Sequence, residues 1–144
     1  MKMKIANDEK RMEIIIDSYE FPYHETNHDA DNNWLNVKVI CEDEVLVEEG
    51  IDSCLSTQEL VDMRNGLSKA LLDVPYESDF MEPSLYIKAL PHEDVVDMMI
   101  SFHLPNRYVF AVFTTISKQE LDAMVSELSS LCKAFPIRKK KRLN

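Results

Sequence analysis

The residues whose type and spacing come closest to a metal site are two histidines four positions apart, His24 and His28. On a helix this spacing would place both imidazoles on one face, with the carboxylates of Glu25 and Asp29 beside them. However, residues 21–33 contain Pro22 and are rich in Asn and Asp, which favours an exposed loop, and no third ligand can be named. The sequence therefore predicts no metal site and no cofactor, and a small metal-binding protein using His24 and His28 is kept only as an alternative.

This segment also imitates a calcium-binding loop, with Asp29, Asp31 and Asn33 at alternate positions. An EF-hand requires Gly at its sixth position and Glu at its twelfth, where this chain has Trp34 and Ile40. The sequence therefore excludes an EF-hand.

Covalent and acid–base catalysis have no recognisable motif in the chain. The G-x-S-x-G pattern of a nucleophile elbow is absent, and because there are only two glycines, Gly50 and Gly66, no glycine-rich phosphate loop is expected. The three cysteines, Cys41, Cys54 and Cys132, form no C-x-x-C pair, so we expect buried, reduced thiols and a cytoplasmic location. The sequence predicts a protein that is not an enzyme.

Strands and helices are predicted from hydrophobic periodicity and from helix caps. Two capping boxes, Ser56 to Glu59 and Ser117 to Glu120, predict helices that end near Val74 and at Phe135. The expected fold is α+β, an antiparallel β-sheet covered on one face by two amphipathic α-helices in the order β-β-β-α-β-β-β-α. Alternation of apolar and polar residues predicts six strands, at residues 11–19, 34–41, 45–49, 84–90, 96–104 and 108–116.

The first predicted helix contains Gly66, which costs about 1 kcal/mol relative to Ala and would let the helix approach the sheet closely. The two helix starts, Ser56-Thr57-Gln58-Glu59-Leu60 and Ser117-Lys118-Gln119-Glu120-Leu121, resemble each other. An internal duplication and a shared capping rule both explain this likeness.

Charge divides the chain into an acidic body and a basic end. The net charge is −10, and residues 138–142 contribute +5, so removing them leaves −15 on residues 1–137. We therefore expect a single domain at 1–137 and a disordered basic tail at 138–144. Such a body repels phosphate and attracts basic proteins, which argues against direct nucleic-acid binding.

The longest apolar run, Tyr108 to Phe113, is far shorter than the roughly 20 residues of a membrane span.

Several segments of the chain together resemble the WapI-type immunity proteins of bacteria. They are Asp31-Asn32-Asn33-Trp34-Leu35-Asn36-Val37, Leu55-Ser56-Thr57-Gln58-Glu59-Leu60, Phe80-Met81-Glu82-Pro83-Ser84-Leu85, and the last strand and helix with Phe135-Pro136. The resemblance implies a cytoplasmic protein without chemistry of its own, which binds and inhibits the C-terminal toxin domain of a secreted or wall-associated protein. Toxin domains of this kind are often nucleases.

The predicted partner-binding surface consists of acidic turns around an aromatic anchor, Trp34. A nuclease needs a positive surface to hold phosphate, and an acidic inhibitor competes for that surface and is drawn to it rapidly. A general protein-interaction or homo-oligomerisation module, using an exposed strand edge, is the alternative. The predicted contact residues are Glu25, Asp29, Asp31, Trp34, Glu42, Asp43, Glu44, Glu48 and Glu49.

Overall fold

Two groups of four strands, each followed by a long helix, make up the fold. The computed structural model describes residues 2–26, 28–106 and 108–139. Its elements are β1 (Lys2–Ala6), β2 (Arg11–Tyr19), α1 (Asp29–Asn33), β3 (Trp34–Glu42), β4 (Val47–Ser56), α2 (Thr57–Ala70), β5 (Tyr76–Glu77), β6 (Leu85–His92), β7 (Val95–His103), β8 (Val109–Ser117) and α3 (Lys118–Ala134).

The strands form two antiparallel sheets, with the orders β1-β2-β3-β4 and β5-β6-β7-β8. The expectation of a single sheet under two helices is therefore corrected, although the α+β class is confirmed. The physical reason is that each strand pairs with its neighbours along the chain, while α2 separates the fourth strand from the fifth.

Six strands and both long helices lie where the sequence predicted them, with shifted ends. The third predicted strand, 45–49, is in fact β4 and runs on to Ser56. Two strands were not predicted: β1 at the N-terminal end, and β5, which has two residues. The predicted order β-β-β-α-β-β-β-α therefore lacks one strand in each half and the short helix α1.

Both predicted capping boxes are present. Ser56 Oγ accepts from the Glu59 amide at 3.2 Å, and Glu59 Oε1 accepts from the Ser56 amide at 3.0 Å. Ser117 and Glu120 make the same reciprocal pair at the start of α3. The first long helix ends at Ala70 rather than near Val74, because the chain turns through Asp73 at φ 66°.

One hydrophobic core joins both sheets and both long helices. The helices contact each other, and α2 also packs on strands of the second sheet while α3 packs on β1 of the first. The two sheets approach closely at Gly50, where an added Cβ would lie 2.5 Å from Cε1 of the buried Phe102. Gly66 allows α2 to approach Tyr76 of β5 in the same way, as its position predicted. Of the helices within the described ranges, none is long and apolar enough to span a membrane.

Candidate functional site

The segment predicted as an exposed loop is partly helical, because α1 occupies its last five residues. The Asn32 side chain holds the preceding turn, accepting from the His24 amide and donating to its carbonyl, both at 3.1 Å. His24 Nδ1 accepts from the Thr26 amide at 3.2 Å. Among the described residues there is no group of three or more His, Cys, Asp or Glu side chains that could bind a metal ion.

Asn33 connects α1, α2 and the C-terminal segment, which we define as residues Phe135–Arg138. Its Oδ1 accepts from Thr57 Oγ1 at 2.7 Å and from the Arg138 amide at 2.7 Å. Its Nδ2 donates to the Asp29 carbonyl at 2.7 Å and to the Arg138 carbonyl at 2.8 Å. Since Asn33 is buried, this side chain replaces solvent for four groups at once.

The C-terminal segment also contacts Tyr19 of β2. The Arg138 guanidinium lies 3.3 Å from the ring centroid of Tyr19, and its NH1 donates to the Phe21 carbonyl at 3.2 Å. The Tyr19 hydroxyl donates to the Pro136 carbonyl. Arg138, expected to begin a disordered tail, is therefore bound to the body, while residues 140–144 of that tail lie outside the described residues.

A pocket of about 350 Å³ opens beside Trp34, and we call it the Trp34 pocket. Its apolar walls are the half-buried Trp34, the exposed Met81 and Ile137 of the C-terminal segment. Glu59 fixes one wall, because its Oε2 accepts from the Met81 amide at 2.7 Å. The lining residues are Asp29, Asn33, Trp34, Ser56, Thr57, Gln58, Glu59, Met81 and Ile137.

Two carboxylates line this pocket, and two more adjoin its lining residues. Asp29 and Glu59 line it, and Asp62, which accepts from Gln58 Nε2 at 3.0 Å, lies one helical turn further along α2. Glu82 follows Met81 in the chain. The raised pKa of the Cys54 thiol, which is caused first by burial and then by Asp52, receives a smaller contribution from Glu82. In the part of the chain that the structure describes, Asp29, Asp62 and Glu82 form no ion pair.

Three of the five predicted acids of the β3–β4 hairpin have partners within the protein. Glu42 pairs with Arg11, and Glu49 pairs with Lys38 at 3.1 Å. Asp43 Oδ1 accepts from two backbone amides of the turn, at 2.9 and 2.8 Å. These three carboxylates are therefore at least partly neutralised or engaged before any partner arrives.

The hairpin acids also lie far from Trp34. In the β3–β4 register Trp34 pairs with Ser56, whereas Glu42 pairs with Val47 at the opposite end of the ladder. At ~3.3 Å per residue the two ends of β3 are roughly 26 Å apart. The structure thus places Asp29 and Trp34 in one pocket, and Glu25 and Asp31 belong to the same chain segment as Asp29. The other predicted contacts lie at the far end of the β3–β4 ladder: Glu42, Asp43, Glu44, Glu48 and Glu49.

A larger groove of about 800 Å³ lies between β1 and α3. Lys2 and Lys4 line one side, and Glu120 and Glu127 line the other. Because the charges of the two sides are opposite and equal in number, this groove does not favour a basic partner over an acidic one.

Cys41 and Cys54 are buried as expected and are unsuited to nucleophilic chemistry, whereas Cys132 is half-buried and corrects that expectation. Burial, and then the Asp52 carboxylate, raises the pKa of Cys54 to about 12. Burial, and then Glu48, raises the pKa of Cys41 to about 11. Both are therefore un-ionised at neutral pH and inaccessible, as expected for structural cysteines.

These thiols should make the fold sensitive to alkali. Their pKa values are raised in the folded state above the ordinary 9.0, so their contribution is complete below pH 9 and is lost as the pH rises towards 12. Between pH 8 and pH 10 we expect the two to remove roughly 2 kcal/mol of unfolding free energy. Urea titrations at both pH values should show this loss, and a Cys41→Ala/Cys54→Ala variant should show a smaller one. Equal losses of unfolding free energy for the two proteins would contradict the assignment of this pH dependence to Cys41 and Cys54.

Seven of the nine lining residues were not among the predicted contacts, and Glu59, Met81 and Ile137 are three of these seven. Glu59 was recognised only as a cap, since its second carboxylate oxygen reaches a residue 22 positions away. The exposed Met81 lies inside one of the segments on which the family resemblance rests, and that coincidence was the available signal.

Comparison with solved structures relates the fold to one known architecture. The chain is similar to the plant transcriptional regulator PBF-2, with a TM-score of 0.55 and 13% sequence identity over 94% of this chain and 81% of that chain. At this identity the likeness concerns the fold alone. No curated protein matches the chain.

Comparison with protein families gives a match over almost the whole chain. The model of the immunity protein WapI-like family matches residues 3–136, which include both sheets and both long helices. This span contains all the segments that suggested the resemblance, and it ends within the C-terminal segment beside the Trp34 pocket. The chain therefore belongs to the immunity protein WapI-like family.

Proposed function

We propose that this protein binds a cognate toxin domain in the cytoplasm and neutralises it by covering the basic surface with which that domain holds its substrate. The toxin domain is a nuclease, and the immunity protein contributes no catalytic group. Membership of an immunity family supports the inhibitory role, and the net charge of −10 supports a basic partner.

The observation on which the interface proposal rests is the contrast between paired and unpaired carboxylates. Asp29 lines the Trp34 pocket, Asp62 accepts from the lining residue Gln58, and Glu82 follows the lining residue Met81. Within the described ranges these three carboxylates form no ion pair, whereas Glu42 and Glu49 of the hairpin do. Carboxylates without an ion pair attract a cationic surface without first separating from a charged partner. Asp62 makes only a hydrogen bond with the neutral Gln58 amide. The pocket supplies the apolar centre that a stable interface needs inside a charged rim.

Neutralising three carboxylates around the pocket should slow association with the toxin domain. For Asp29→Asn/Asp62→Asn/Glu82→Gln we expect an association rate constant about 10- to 100-fold lower at low ionic strength, and a smaller difference at high salt. The measurement is stopped-flow or surface-plasmon-resonance kinetics with an inactive variant of the C-terminal domain encoded immediately upstream.

The hairpin offers a matched control, because Glu42→Gln/Glu44→Gln/Glu49→Gln changes the net charge by the same amount. This control should lower the rate by no more than about threefold, since two of its carboxylates are paired internally. If the control slows association as much as the pocket variant, the steering depends on total charge and the proposed face is wrong. Survival assays with the active toxin then show whether inhibition itself persists.

A further inference from the structure

We infer that the Trp34 pocket receives one arginine or lysine side chain projecting from the toxin domain. The inference rests on the proposed function and names the chemistry of the group that anchors the partner. A long aliphatic stem that ends in a cation matches a pocket with apolar walls and carboxylates at its edge.

The walls suit the stem of such a side chain. Trp34 presents an indole, and Met81 and Ile137 present flexible and branched apolar groups around a volume of about 350 Å³. An indole is the aromatic surface that binds a guanidinium or ammonium group most strongly. Met81 is 77% exposed, so this apolar surface is available to a partner.

The charges suit the cationic end. Asp29 and Glu59 line the pocket, and of the described residues that line it none is a lysine or arginine. A cation placed here would meet the Asp29 carboxylate, with which an arginine could form a bidentate pair. The oxygens of Glu59 already accept from the amides of Ser56 and Met81, so Glu59 contributes its charge rather than a free acceptor.

The pocket is also formed in advance. Glu59 holds Met81 through its amide, and Asn33 holds the backbone of Arg138, the residue that follows Ile137. The guanidinium of Arg138 cannot fill the pocket itself, because it lies on Tyr19 and donates to Phe21. Pre-formed walls reduce the ordering cost of binding one side chain.

The test uses the fluorescence of Trp34, the single tryptophan of the chain. We would titrate the full chain with Nα-acetyl-L-arginine amide and, as a neutral isostere, Nα-acetyl-L-citrulline amide. We expect a saturable change with the arginine probe and at least tenfold weaker binding of the citrulline probe, because only the first carries a charge (about 1.4 kcal/mol per factor of ten). Asp29→Asn should lower the affinity for the arginine probe about threefold or more, and Glu44→Gln should leave that affinity unchanged.

Equal responses to both probes, or no saturable response to the arginine probe up to about 100 mM, would overturn the inference. A response that arises only after residues 140–144 are removed would assign the pocket to the chain's own basic end and would also overturn it. None of these outcomes affects the survival assay. Rescue from the toxin without probe binding therefore rejects the cation-binding role of the Trp34 pocket and retains the proposed function. Probe binding without rescue retains the cation-binding role and rejects the proposed function.

Discussion

Replacing Asn33 with alanine should lower the unfolding free energy by about 2–4 kcal/mol. The substitution removes four hydrogen bonds, two of them to the backbone of Arg138, and it leaves the buried hydroxyl of Thr57 without an acceptor. Burying a polar group without a partner costs more than the hydrogen bond itself contributes. The C-terminal segment should also detach, so that Ile137 no longer closes the Trp34 pocket.

Urea unfolding followed by far-ultraviolet circular dichroism measures the loss of stability, and Trp34 emission reports the opening of the pocket as a shift to longer wavelength. Asn36→Ala is the matched control, because Asn36 is half-buried and donates only to the Ser18 hydroxyl at 3.1 Å and, at 3.5 Å, to the Tyr19 carbonyl. Asn36→Ala should lower the unfolding free energy by about 1 kcal/mol or less. Equal losses for the two variants would show that Asn33 has no special role in joining the segments.

The second large effect is expected at Gly66, where alanine should be destabilising by about 1–3 kcal/mol. Helix propensity alone predicts the opposite sign, a gain of about 1 kcal/mol. The reason for the reversal is the ring of Tyr76, since an added Cβ would lie 2.1 Å from its Cδ1 and 2.8 Å from its Cγ. Because Cγ is the fixed base of the ring, the clash requires α2 and β5 to move apart.

Thermal or urea unfolding of four variants decides the sign at Gly66: Gly66→Ala, Asn65→Ala, Tyr76→Ala and the Gly66→Ala/Tyr76→Ala double variant. The neighbouring Asn65 is exposed on the same helix, so Asn65→Ala should be neutral or slightly stabilising. Adding Tyr76→Ala to Gly66→Ala should give a loss smaller than the sum of the two single losses, because the clash is then absent. A stabilised Gly66→Ala protein would mean that β5 adapts to the helix without cost.

Local signals in the sequence predicted the helices well. Both capping boxes involve residues three positions apart, and each pair of hydrogen bonds forms as expected. The strand β1 was missed although Met3 and Ile5 alternate with Lys2 and Lys4, because five residues at the end of the chain give a short pattern. The two-residue β5 carries no pattern at all and exists because β6 offers it an edge.

The number of sheets depends on information that alternation does not contain. A period of two shows which face of a strand is buried but not which strands pair with it. The observed pairing follows chain order within each half, and the first half never pairs with the second among the described strands. The repeated pattern of four strands and a helix agrees with the similar helix starts noted in the sequence.

The candidate site was half predictable for a related reason. Asp29 and Trp34 are near each other in the chain, so the sequence placed them together. Ile137 reaches the same pocket because Asn33 binds Arg138 across 105 positions, a contact that no local pattern reveals. The pairing of Glu42 with Arg11 depends equally on strand register, and without it the hairpin acids looked as available as Asp29.

The most direct test of the central claim is a survival assay with the C-terminal domain encoded immediately upstream, chosen so that this domain kills cells when expressed alone. We predict that co-expression of the wild-type protein restores colony formation, and that Asp29→Asn/Asp62→Asn/Glu82→Gln restores it less well than Glu42→Gln/Glu44→Gln/Glu49→Gln. Cells that die equally with and without the wild-type protein, at matched and soluble expression, would contradict the claim that it neutralises this toxin domain.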